Sequence, residues 1–142
     1  MSYSSIQWIG VLICIVLNFM SAFTWFGPKT FYPAWQRAMK NPEGVNPNEG
    51  QNMPIVFGLS LIGAMVQAIV LALIFDLLHR ALGHEVGLII GLGTGFIIGL
   101  GAAATSLGHR LFAGHGLKVW SIEVGNDILN FTLMGAVLGL FY

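Results

Sequence analysis

The chain has 142 residues, 56% of them hydrophobic and only 8% charged, and its six basic and six acidic side chains cancel. A soluble domain carries about 25% charged residues, so this composition, with a mean hydropathy of +0.78, points to a membrane protein and leaves no basic surface for nucleic acid. A single cysteine excludes an internal disulfide and any multi-cysteine metal site.

Four apolar segments follow one another: Ile6–Phe26, Pro54–Leu78, Val86–Gly108 and Val119–Tyr142. Each has about 20 residues or more, enough to cross about 30 Å of hydrocarbon at 1.5 Å per residue. In lipid only helices and closed barrels satisfy the backbone, and apolar runs without strict alternation favour helices. The expected fold is an all-α membrane protein, one domain over residues 1–142, with four transmembrane helices in a compact bundle. The first segment lacks a basic region ahead of it and is flanked by tryptophans, so it reads as a retained span rather than a cleaved signal. Cys14, in its middle among Ile and Val, reads as packing.

After the first span, Phe31–Lys40 (FYPAWQRAMK) mixes aromatic and basic residues and predicts a short interfacial helix. Asn41–Asn52 (NPEGVNPNEGQN) is rich in Pro, Gly and Asn and predicts turn or loop. Lys29, Arg37, Lys40, Arg110 and Lys118 fall on one side of the bilayer and Arg80 alone on the other. The positive-inside rule then places loops 27–53 and 109–118 in the cytoplasm of a bacterial inner membrane, with both termini outside. Tyr3, Trp8 and Tyr142 mark the outer interface; Trp25, Tyr32, Trp35 and Trp120 mark the inner one, where amphipathic rings favour the headgroups.

The third segment has no charge. It repeats a small residue every fourth position, at Gly87, Gly91, Gly95, Gly99 and Ala103. On a helix these form one groove that admits another helix at backbone distance. This segment is therefore expected at the centre of the bundle. Its small-residue surface exceeds what one partner helix uses, which predicts a homo-oligomer, a dimer before others, with this helix in or near the interface. Gly91–Gly95 (GLGTG) lies inside a span, with no strand before it and no acidic residue after it, so it is not a dinucleotide loop.

The fourth segment carries the polar groups. Glu123, Asn126, Asp127 and Asn130 lie within an arc of about 100° on one helix face. A central charge costs roughly 2.5–3.5 kcal/mol on insertion scales, so these side chains must face protein or water. Counted from the inner boundary, Glu123 lies about 6 Å deep, Asp127 about 12 Å and Asn130 about 16 Å; Asn18 in the first span lies at about 12 Å and Gln67 in the second at about 20 Å. A polar track of Asn18, Gln67, Glu123, Asn126, Asp127 and Asn130 from the cytoplasmic face to mid-membrane is one reading. The plainer one makes the amides bridges between helices and pairs Glu123 with Lys118 or Arg110. No Lys or Arg lies in any span, which leaves Asp127 facing water or holding its own proton.

On the outer side Asp76, His79, His84 and Glu85 form a weak His/carboxylate group of the type that binds divalent metal, although interface capping and solvation explain them better. His109 and His115 lie on the inner side, within reach of Glu123. No nucleophile elbow, HExxH or phosphate loop is present. Neither a cofactor nor an enzyme activity is expected.

Trp25-Phe26-Gly27 with Trp35, and the closing stretch Phe112–Gly135 (FAGHGLKVWSIEVGNDILNFTLMG), resemble the domain-of-unknown-function 1761 family of small bacterial membrane proteins. That resemblance implies four spanning helices and brings no activity, cofactor or catalytic residue. From the residues themselves the leading reading is permeation or transport of a small solute, ion or proton along the polar track. The alternative is a non-catalytic accessory subunit of a larger membrane complex. A membrane enzyme using the outer His/carboxylate group is the weakest.

Overall fold

A computed structural model describes residues 6–40 and 50–142. Tyr3 and most of the loop expected over Asn41–Asn52 lie outside the described residues. Five helices follow in order: α1 (Trp8–Trp25), α2 (Tyr32–Ala38), α3 (Met53–Leu82), α4 (Gly87–Phe112) and α5 (Gly116–Phe141). All but α2 are long and apolar enough to cross a membrane.

The helix ends follow local chemistry. At the start of α3 the Asn52 side chain accepts a hydrogen bond from the Ile55 N–H, and a proline occupies the first turn, where a missing N–H costs nothing. The helix runs past the apolar segment to Leu82, because nothing breaks it until Gly83. There the chain turns left-handed, at φ 70°, and the Gly83 N–H caps the His79 carbonyl, a conformation that favours glycine. The tight corner after α1 is closed by Thr30, whose hydroxyl bonds the Thr24 and Trp25 carbonyls at 2.6 and 2.7 Å, and by a stack of Trp25 on Phe31. The interfacial helix expected over Phe31–Lys40 is the seven-residue α2.

The organising helix is α5, not the third span. α5 packs along α4 and against α1, and also touches α2 and α3. The glycine groove on α4 is filled from within the same chain. Gly91, Gly95, Gly99 and Ala103 are buried, and the three glycines meet the backbone of α5 at Ile128, Phe131, Gly135 and Gly139. A Cβ added at Gly95 would collide with the Phe131 carbonyl oxygen. Gly87 is half-buried; its carbonyl packs against Gly139 of α5, while open space lies where its own Cβ would be. The stripe singled out in the sequence is thus occupied by α5; the α4 glycines that still face open space are Gly87, Gly93, Gly101 and Gly108.

The apolar core fills the half of the bundle remote from α2, its outer half in the orientation expected from the positive-inside rule. Cys14, Leu71, Phe75, Met134 and Leu138 are at most 1% exposed and form one cluster shared by α1, α3 and α5. α3 joins it only through its outer half: its buried residues run from Ala64 to Asp76, while residues 54–63 are all exposed. α3 and α4, joined by four residues, make no substantial contact with each other.

Candidate functional site

The polar residues of α5 sit below that core, toward the end that carries α2, and they divide into three kinds. Glu123 belongs to a latch. Its Oε2 lies 2.7 Å from the Arg110 Nε at the end of α4, and its Oε1 accepts a hydrogen bond from the Trp35 indole N–H of α2 at 3.1 Å. Arg110 also lies 3.4 Å from the His115 ring nitrogen. One carboxylate therefore ties α2, α4 and α5 together, in charge-assisted bonds that are among the stronger ones available. Of the two cations considered for Glu123, Arg110 is the partner; His115 contacts Arg110 rather than the carboxylate. A second indole reinforces the junction: Trp25 donates to the Ile122 carbonyl at 2.9 Å, and its ring lies flat over Gly125, where a Cβ would stand 2.8 Å from the ring.

Asn126 and Asn130 form the second kind. They are 7% and 5% exposed, one turn apart on one face, and the Oδ1 of each is buried without a hydrogen-bond partner. An unpaired buried acceptor costs about 1–3 kcal/mol, so two such oxygens in register call for a donor or a positive charge. Asp127 is the third kind. It is exposed, although it lies on the same stripe of α5 as the buried Met134, seven residues further on. The stripe is covered where α3 packs on it and open at the level of Asp127, where residues 54–63 of α3 are exposed.

Asn18 donates to the Gln67 Oε1 at 2.9 Å, joining α1 to α3. The Cys14 Sγ lies 3.7 Å from the Met134 carbonyl, which sets the register of α1 against α5. Four residues inward from each of these brings Asn18 level with Asn130, so Asn18, Gln67 and Asn130 share one depth and Asp127 lies about 4.5 Å nearer the inner face. Counting along α3 from Pro54 puts Gln67 deeper than this, because a 30-residue helix of about 45 Å exceeds the hydrocarbon thickness and must tilt or project from it. Above this layer the core residues close the bundle: among the described residues the cluster of Cys14, Leu71, Phe75, Met134 and Leu138 is apolar.

At the outer end Asp76 is buried and its Oδ2 lies 3.0 Å from the Arg80 Nε. His79 stands beside Tyr142, with its Nδ1 buried and unpartnered. It lines two neighbouring cavities of about 270 Å³ each, one shared with Asp76 and the other with Glu85. His84 is exposed and lies 2.8 Å from the Glu85 carbonyl. These four residues do not converge as ligands. Among the described residues no three His, Cys, Asp or Glu side chains lie close enough to hold a metal ion.

The DUF1761 family, described as proteins of unknown function, matches residues 9–139. The chain belongs to this family. The DUF1761 match runs from the first turn of α1 into the last turn of α5, and so takes in the latch, the asparagine pair and all four spanning helices. No curated protein and no solved structure matches the chain significantly.

Two features escaped the reading of the sequence. The glycines of α5, Gly135 and Gly139, repeat the four-residue step of α4 and could have named α5 as its partner. The indole donors Trp25 and Trp35 were read only as interface markers, although a tryptophan N–H that is buried needs an acceptor.

Proposed function

We propose that this DUF1761 protein passes a monovalent cation or a proton along the polar face of α5. The observation that carries the proposal is the pair of buried Asn126 and Asn130 oxygens, both unpartnered, beside the Asp127 carboxylate. All are hard oxygen acceptors, the ligand type suited to small cations and proton donors rather than to anions. In the orientation given by the positive-inside rule, a cation enters from the cytoplasmic side past the Glu123 latch. Asp127 supplies the negative charge, and the amide oxygens replace water around the ion, as carbonyl oxygens do in selective pores.

The sealed outer half favours a second reading, an accessory subunit of a larger complex, since no polar route crosses a single chain. Cation and proton fluxes into proteoliposomes separate the two. The permeation reading expects a flux above that of empty vesicles, lost in Asp127→Ala and reduced at least ten-fold in Asn130→Leu. Folded protein without any flux, recovered with one larger partner in stoichiometric amount, contradicts it.

A further inference from the structure

The inner half of α3 leaves one side of α5 uncovered. Residues 54–63 are exposed throughout, α3 and α4 hardly touch, and below the buried outer half of α3 the Asp127 carboxylate is open. Lipid tails offer that carboxylate nothing to bond. α3 also exposes Gln67. Its Oε1 is taken by Asn18, and among the described residues its Nε2 donates to nothing.

We infer that a second copy of this chain covers this side, its Gln67 amide donating to the exposed Asp127 carboxylate of the first, with the same contact returned across a two-fold axis. The membrane supplies the reason for choosing a second copy. Copies with one orientation are related by rotation about the membrane normal, which leaves every atom at its own depth. A donor and an acceptor at similar depth that do not meet within one chain can meet across such a pair. Gln67 lies about 4.5 Å above Asp127, within the reach of a glutamine side chain. Gly58 and Gly63 of α3 have open space at their Cα atoms, as close helix approach in lipid requires. The interface of this dimer is therefore formed by α3 and the uncovered side of α5. The α4 stripe takes no part in it, being occupied within the chain. This inference rests on the same polar face as the permeation reading and places the path between two copies, around the outside of the sealed core.

The test is self-association of the full-length protein in nanodiscs and in lipid-diluted vesicles, read by energy transfer between donor- and acceptor-labelled copies. The wild type associates as a dimer. Gln67→Leu, which places an apolar group on an already exposed position, weakens association about ten-fold or more, since one interhelical hydrogen bond in lipid contributes about three-fold and each dimer holds two. Gly63→Trp, one turn away and in open space, abolishes association while helicity and thermal stability stay at wild-type values. A monomeric wild type, equal association by both variants, or a stoichiometric complex with a different protein in place of self-association overturns the inference. Dimerisation without cation flux supports the dimer and removes the permeation reading; flux retained by a monomeric Gly63→Trp removes the dimer as its site.

Discussion

Gly95→Ala measures how far the α4–α5 contact holds the bundle together. The added methyl carbon would lie 3.0 Å from the Phe131 carbonyl carbon and the Thr132 Cα, and closer still to the carbonyl oxygen. Carbon atoms rest at about 3.5–4.0 Å, so the helices must part by about 0.5–1 Å, a gap that forfeits a quarter to a half of each contact's attraction. Gly91, Gly99, Gly135 and Gly139 lie along the same crossing and lose contact with it. Overpacking of this kind costs about 1–3 kcal/mol. Alanine also gains up to about 1 kcal/mol over glycine in helix propensity. Gly93→Ala, which meets open space, receives that gain without the collision. The difference between the two variants is therefore the packing cost alone, about 1–3 kcal/mol. Reversible unfolding in mixed micelles, followed by circular dichroism, gives both values. Equal stability of Gly95→Ala and Gly93→Ala would refute the close contact of α4 with α5.

Other outcomes follow from the same structure. Arg110→Gln leaves Glu123 with the Trp35 indole as its remaining partner and costs about 1.5–3 kcal/mol, the range of a hydrogen bond to a charged group; the release of α2 registers as a change in Trp35 fluorescence. Trp35→Phe removes the other half of the latch at about 0.5–1.5 kcal/mol. Arg80→Met strands the buried Asp76 and destabilises the outer end by about 1–3 kcal/mol, and Arg80→Met with Asp76→Leu restores much of the loss, because replacing both partners by apolar groups is nearly neutral. If the termini lie outside, a reporter that functions only in the cytoplasm stays silent when fused after Tyr142 and becomes active when fused after Lys40.

The spans could be read from composition because hydrocarbon imposes a length and a polarity that few other environments demand. The four-residue glycine step on α4 was equally plain, yet it specified a kind of contact and not a partner. Gly135 and Gly139 carry the matching step, but in a segment where the acidic and amide residues drew the reading toward chemistry. The polar track was legible as a helix face and misleading as a unit. Asp127 lies on the stripe of α5 that carries the buried Met134, yet it is exposed while its neighbour Asn126 is buried. Nor could the sequence reveal that α3 covers α5 only along its outer half, since its apolar run is continuous and lipid and protein look alike to a hydropathy scale. The Arg110 partner of Glu123 lay within reach of sequence reasoning, because a carboxylate near the interface needs a cation and few were available.

The central claim is that the polar face of α5 meets water and cations from the inner side. The most direct measurement is thiol labelling of Asp127→Cys in oriented membrane vesicles, with Cys14 retained, since that residue is fully buried. A charged, membrane-impermeant reagent is predicted to modify Cys at position 127 from the cytoplasmic face only, with no labelling of the wild type. A position 127 that reacts only with an apolar, membrane-permeant reagent, or from neither side, would contradict the account.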